Sequence, residues 1–277
     1  MLNPHARQAA SAAALLRSLV RNAALIRQMA GREAVGRYQG SVLGLAWSFF
    51  HPLLMLMVYT LVFSVIFKAR WGVDANETRT DFALILFVGM IVHGLFAEVL
   101  NRAPGLVVAN ANYVRRVVFP LEILVPVSVL SALVHTGISV VVLLVALLAL
   151  KGTLHPTALL LPLVLLPLLV LTLGLGWALA SLGVFIRDVG HAVVILTTVM
   201  LFLSPMFYPV DAVPEAFRPW IRANPLTLIM EQSREVLIWG RLPDFGALAA
   251  YLAAALAVAA GGFWWFQRTR TGFPDVL

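Results

Sequence analysis

Six stretches of this chain carry no Asp, Glu, Lys or Arg: 42–67, 82–97, 123–150, 152–186, 189–210 and 245–267. A helix needs about 20 apolar residues to cross a bilayer. The runs are continuous, without the alternation of about ten residues that marks a membrane barrel strand. They predict an all-α integral membrane protein with six spans near 46–67, 82–101, 124–150, 157–185, 190–208 and 245–266. Composition agrees: 61% of residues are hydrophobic and 12% charged, where soluble domains have about 45–50% and 25%. This argues against a soluble enzyme, a disordered chain or a nucleic-acid module. The net charge of +7 then reads as basic membrane flanks rather than as a nucleic-acid surface.

Orientation follows from the basic residues. Six Arg (Arg7, Arg17, Arg21, Arg27, Arg32, Arg37) precede the first span. With the N-terminus inside, cytoplasmic segments hold twelve Lys and Arg and external segments eight. Both termini are therefore expected in the cytoplasm, in a single membrane domain over 1–277. Residues 11–30 are no cleavable signal, because Arg17, Arg21 and Arg27 interrupt the apolar positions. Leu15, Leu16, Leu19, Ala23 and Ile26 instead recur at helical spacing, as in an amphipathic helix lying in the inner interface. Segment 209–244 cannot span, having four Arg and five acidic residues, yet it is rich in apolar positions. Asp211 and Pro214 are read as starting one short helix, and Asn224-Pro225 a second that ends at Gly240. This predicts a re-entrant external helical hairpin over 211–240, with a surface hairpin as the alternative.

Several chemistries have no carrier here. Neither Lys68 nor Lys151 follows a glycine, so there is no Walker A loop. No His precedes a Glu, no two His stand three or four apart, and there is no cysteine and no DxD pair. No cofactor or metal is expected in this chain. The candidates for an ionisable relay inside the spans are His93, Glu98 and His135, with Glu98 placed to pair with Arg102 at i+4. A membrane subunit with neither an energy source nor a nucleophile points to energy delivered by a partner.

Ordered sequence blocks then narrow the reading. Gly31-Arg32-Glu33-Ala34-Val35-Gly36-Arg37-Tyr38-Gln39-Gly40-Ser41-Val42-Leu43-Gly44 leads to Trp47 and Pro52-Leu53. Asn110-Ala111-Asn112-Tyr113-Val114-Arg115-Arg116 runs on to Phe119-Pro120-Leu121-Glu122. Phe185-Ile186-Arg187-Asp188, Ser204-Pro205-Met206-Phe207-Tyr208-Pro209 and Asn224-Pro225-Leu226 follow. From about 31 to 240 this order resembles the permease subunit of type-2 ABC exporters for lipid-linked polysaccharide: O-antigen, teichoic acid and some capsules. An Ile separates Phe185 from Arg187, where that family often has Phe and Arg adjacent.

The resemblance implies a permease homodimer in the bacterial inner membrane, with two copies of a cytoplasmic ABC ATPase that supply the ATP and Mg sites. It implies an undecaprenyl-diphosphate-linked glycan leaving through a channel between permeases. The residues suggest physical roles. Arg32 and Arg37 stand just before the first span, where guanidinium fits a lipid diphosphate, and Tyr38 can stack on a sugar. The alternative is topological anchoring with a belt tyrosine. Asn110, Asn112, Tyr113, Arg115, Arg116 and Asp188 are candidates for ATPase coupling, with one short amphipathic helix expected over 105–113; Arg115 and Arg116 serve equally as topology anchors. Tyr59, Phe63, Phe67, Phe207, Tyr208, Phe217 and Trp220 are candidate exit aromatics, the alternative being lipid-facing or packing rings. Competing functions are a capsule-type permease for phospholipid-anchored glycan, a small-lipid or drug exporter, and a membrane-embedded glycan-processing enzyme. Lacking a Walker A loop, the purified chain should hydrolyse no ATP until a separate ATPase subunit is added, which a phosphate-release assay reads directly.

Overall fold

A computed structural model describes residues 11–36, 46–66, 71, 79–116 and 119–277. Among the described residues the chain is helical throughout, without strands. Two helices open it: α1 (Ala12–Arg21), capped by the Ser11 side chain, and α2 (Ala23–Gly36). α3 (Trp47–Tyr59) runs on as a π-helical turn over Thr60–Ile66. At the change of pitch the Thr60 hydroxyl donates to the Leu56 carbonyl at 2.6 Å. α4 (Arg79–Arg102) leads through a 3-10 turn to the short α5 (Leu106–Ala109) and α6 (Ala111–Arg116). α7 (Leu124–Lys151), α8 (Leu161–Phe185) and α9 (Val189–Leu203) follow. α10 (Arg218–Ala223) and α11 (Pro225–Arg234, continued as a π turn to Trp239) form the hairpin. α12 (Phe245–Thr269) and α13 (Phe273–Val276) end the chain.

Among the described residues four helical stretches are long and apolar enough to cross a membrane: Thr80–Ala109, Leu121–Lys151, Pro156–Phe185 and Phe245–Val276. Phe49–Phe63 and Val189–Leu203 are apolar but shorter. The expected span 190–208 thus ends early. Ser204 is extended and Pro205 follows, so the α-helix cannot continue. Its 15 residues rise about 22 Å, less than the roughly 30 Å of a bilayer core.

α4 is the central helix. In it 72% of the apolar window is buried, against 17–39% in the other three. Phe82, Leu84, Ile85, Leu86, Phe87, Leu95 and Phe96 are all nearly solvent-free. The largest helix pair is α8 with α12, and glycine explains its closeness. A Cβ on Gly174 would stand 2.6 Å from the Ala259 backbone, and one on Gly262 would strike the Gly174 carbonyl. A Cβ on Gly183 would strike the Pro104 carbonyl, which locks the turn after α4 against α8. The small residues of α8 therefore serve close backbone packing.

Charged groups sit at the two ends of this apolar bundle. At one end Lys151 pairs with Asp81 at 2.8 Å, joining the end of α7 to the start of α4. At the other, Arg102 pairs with Glu33 of α2 and stands 3.9 Å from Glu98.

The hairpin is packed rather than splayed. Leu226, Ile229, Met230 and Val236 have no exposed surface and join the main core beside α4 and α8. Asn224 caps α11, accepting from the Leu226 amide at 2.9 Å, and Gly240 ends the π turn at φ 65°. The first hairpin helix starts later than expected. A 3-10 turn occupies Val210–Ala212, and regular helix begins only at Arg218, whose side chain donates to the Val213 and Asp211 carbonyls.

Gly262→Val should destabilise the bundle by about 1–3 kcal/mol or more, because the clash is with backbone that cannot turn away. Gly94→Ala, in open space, should be silent. Thermal unfolding in detergent separates the two.

Candidate functional site

A cavity of about 350 Å³ lies among α3, α4, α7 and α9. Half of the chain's six His reach it: His51, His93 and His135, one from each of α3, α4 and α7. Glu98, Thr136 and Ser139 add polar groups, while Met55, Met90, Met206, Tyr59 and Phe87 supply apolar wall. His93 is held in place. His93 Nε2 donates to the Thr197 carbonyl at 2.9 Å, because a carbonyl only accepts. Thr197 in turn donates to Asn101 Oδ1 at 2.9 Å, tying α9 to α4. Gly94 is exposed at the cavity wall. Sequence reasoning singled out His93, Glu98 and His135 but missed His51 and the convergence. The available signal was that His51, His93 and His135 all fall on apolar spans.

Some of the predicted aromatics meet at one edge of this cavity. Phe63 lies 6.1 Å from Tyr59 and stacks on Phe207 at 4.9 Å. Phe207 stands 6.3 Å from Tyr59 and 6.0 Å from Phe202. Tyr59 belongs to both the cavity and this cluster. Tyr208 donates to the Phe202 carbonyl at 2.8 Å, holding the chain back across the end of α9. Phe217 and Trp220 do not join the stack and are 61% and 77% exposed. Phe67 lies outside the described residues.

The remaining candidates are spread over the end of the bundle where Arg102 lies. Arg32 is exposed on α2; Arg37 and Tyr38 lie outside the described residues. The single helix expected over 105–113 is two pieces. Asn110 leaves helical geometry at φ −113°, ψ 28°, and its amide donates to the Leu106 carbonyl at 2.8 Å. Asn112 is exposed, and Tyr113 stacks on Phe119 at 4.5 Å. Arg115 and Arg116 end α6, their side chains outside the description. Asp188 precedes α9 and is exposed, with no side-chain cap bond.

Two buried ionic groups escaped the sequence reading. Glu122, 3% exposed, accepts from Ser18 at 2.8 Å and from Arg270 Nη1 at 2.7 Å. Arg270 Nη2 donates to the Phe119 carbonyl at 2.8 Å, and Trp177 Nε1 donates to the Glu122 carbonyl at 2.9 Å. Three distant segments thus converge on one carboxylate residue. Arg234, with no exposed surface, lies 4.1 Å over the Trp71 ring and donates to the Ile85 carbonyl at 3.2 Å. It fastens α11 to α4. The visible signal was an ionisable residue at the edge of an apolar run; the partners lie far off in sequence.

The arrangement holds a His-lined cavity, an aromatic cluster and two buried ionic groups. Residues 24–238 match the family described as "ABC-2 type transporter". The chain belongs to that family. Over 267 residues it is 28% identical to the O-antigen export system permease protein RfbA of Myxococcus xanthus, covering 95% of this chain and 99% of that protein. It is 24% identical to the RfbA protein of Klebsiella pneumoniae over 87% of this chain and 90% of that one. It is 26% identical to the polysialic acid transport protein KpsM of Escherichia coli, over 80% and 84%. The ABC-2 chain is a transport subunit, not an enzyme.

Glu122→Ala leaves the Arg270 guanidinium buried and unpaired. This should cost about 3–5 kcal/mol, read as a lower melting temperature and a smaller folded yield in detergent. Glu122→Gln, whose amide oxygen can still accept from Arg270 while its NH2 donates to the Ser18 hydroxyl, should cost less.

Proposed function

We propose that this chain is the permease of an ATP-driven exporter that moves undecaprenyl-diphosphate-linked, O-antigen-like polysaccharide across the bacterial inner membrane. The observation that carries this is the similarity to an O-antigen export permease along nearly the whole of both chains. Deleting the gene should leave polymer inside the cell, and its return should restore polymer at the surface. Normal surface polymer after deletion refutes the reading.

In this reading the chain crosses the membrane six times, with both termini cytoplasmic. α3 with its π turn and α9 are the two spans that fall short of a regular 20-residue helix. The hairpin 211–240 is re-entrant on the outer side, which its burial against α4 and α8 favours over a surface position. Two permease copies pair, and two ATPase subunits dock on the cytoplasmic face near α5, α6 and Asp188. The channel lies at the seam between the copies. Support comes from α3 and α9, which carry exposed Leu54, Met57, Leu61, Ile195, Val199 and Phe202 beside the Tyr59–Phe207 cluster. Aromatic rings pack on the flat C–H faces of sugars without binding them tightly, which suits a sliding polymer. A capsule-type permease for glycan on a phospholipid anchor is the second reading, favoured by the similarity to the polysialic acid transporter. Analysing the lipid on accumulated polymer separates the two.

Arg32 and Arg37 are proposed to meet the lipid diphosphate at the inner leaflet. One guanidinium makes two paired bonds to phosphate, which Lys cannot reproduce. Arg37→Lys should therefore insert at normal abundance yet cut surface polymer, and Arg37→Ala should do at least as much. Full export by Arg37→Lys at normal abundance reduces Arg37 to a topological anchor.

A further inference from the structure

A second cavity, of about 150 Å³, lies between α1 and the end of α12, lined by Ala14, Arg17, Ser18, Arg21, Glu122, Phe263 and Gln267. Its two sides differ in chemistry. The rim carries Arg17 and Arg21, one turn apart on α1 and both exposed. The floor is made of buried polar side chains: Ser18 at 9%, Glu122 at 3% and Gln267 at 5% exposure. Ser18 spends its proton on Glu122. The floor leaves a buried acceptor unmatched. Gln267 Oε1 is buried without any hydrogen-bond partner, and each Glu122 oxygen, which accepts from Ser18 or Arg270, keeps a second lone pair. A buried acceptor left unmatched costs about 1–3 kcal/mol, so the site is built for a donor.

The cavity also stands at a polar–apolar boundary. Gln267 lies in the last turn of α12, and Glu122 in the turn before α7. Leu16 and Val20, one turn apart on α1, are 63% and 77% exposed. Such an apolar stripe beside Arg17 and Arg21 is what a helix on a bilayer surface presents to acyl chains. The occupant must therefore pair an anion for the guanidinium rim with an N–H-bearing cation for the acceptor floor, at headgroup depth.

We propose that this cavity binds the headgroup of phosphatidylethanolamine, the phosphate on Arg17 and Arg21 and the primary ammonium on Gln267 Oε1 and Glu122. The site lies apart from the His-lined cavity and the aromatic cluster. It rests on the placement of α1 at a membrane face, not on the identity of the exported glycan. The bound lipid would wedge α1 against the C-terminal end of α12, next to the Glu122–Arg270 pair.

The test titrates the full chain, purified in detergent, with phosphatidylethanolamine, phosphatidylglycerol and phosphatidylcholine of one acyl composition, counting retained lipid by native mass spectrometry. Methylating the ammonium removes every N–H, so phosphatidylethanolamine should bind about tenfold tighter than phosphatidylcholine. Gln267→Leu should erase that preference. The double variant Arg17→Gln/Arg21→Gln should lower retention of phosphatidylethanolamine and phosphatidylcholine alike by about tenfold. Equal retention of phosphatidylethanolamine and phosphatidylcholine overturns the proposal and leaves the cavity to water. Tightest retention of phosphatidylglycerol overturns it in favour of a general acidic-lipid patch. A preference that survives Gln267→Leu places the lipid elsewhere and overturns it too. If Gln267→Leu does not fold, the Arg17→Gln/Arg21→Gln variant, confined to exposed side chains, decides: unchanged retention sinks the site.

Discussion

One buried carboxylate holds one end of the helix bundle together. Glu122 takes Ser18 from α1 and Arg270 from the end of the chain, while its backbone carbonyl takes Trp177 from α8. A buried ion pair gains little net energy over an apolar substitute, but removing one partner is severe. The value of this pair is placement. It sets where α1 lies, where α7 begins and how the C-terminal turn folds back, none of which apolar packing in a lipid-like setting would specify by itself. Hydrocarbon offers no hydrophobic penalty for a slipped helix; an unpaired guanidinium does.

The opposite end uses the same logic with a different cation. Arg234 has no acid within salt-bridge distance among the described residues and is held by two carbonyls and the Trp71 ring, while its buried Nη1 has no hydrogen-bond partner. Gly89 leaves the room it needs, since a Cβ there would stand 3.0 Å from the guanidinium. The hairpin is thereby fixed to α4 and to the turn at Met206. That turn bears Phe207, so the hairpin's buried cation also sets the position of the aromatic cluster.

Local signals were legible where they depend on neighbours in sequence. The long apolar runs became α4, α7, α8 and α12, and Asn224-Pro225 and Gly240 bound the second hairpin helix as their residue types require. The misreadings arose where a single residue redirects the backbone. Ser204-Pro205 ends α9 early, Asn110 divides the expected short helix, and residues before Arg218 stay in turns. The site was least legible because it is made of long-range pairs. Ser18 and Glu122 are 104 residues apart, and Glu122 and Arg270 are 148. No periodicity carries that information. Aromatics in the runs were visible as candidates, but only packing separates Tyr59, Phe63 and Phe207, which meet, from Phe217 and Trp220, which do not.

These fastenings divide the molecule into a part that moves together and a part left free to respond. The turn after α4 is locked to α8 where Pro104 abuts Gly183, and α8 is locked to α12 where Gly174 abuts Gly262. A push on that turn therefore shifts α4, α8 and α12 as one body. α9 is held to α4 by helix packing and by the His93–Thr197 and Thr197–Asn101 side-chain bonds. Side-chain bonds between hydroxyl, amide and imidazole re-form at a new register at little cost, whereas glycine-seated backbones do not slide. In the proposed exporter, force from the ATPase face would then be relieved at the α4–α9 boundary, where the cavity already separates the helices and where the Tyr59–Phe207 cluster begins.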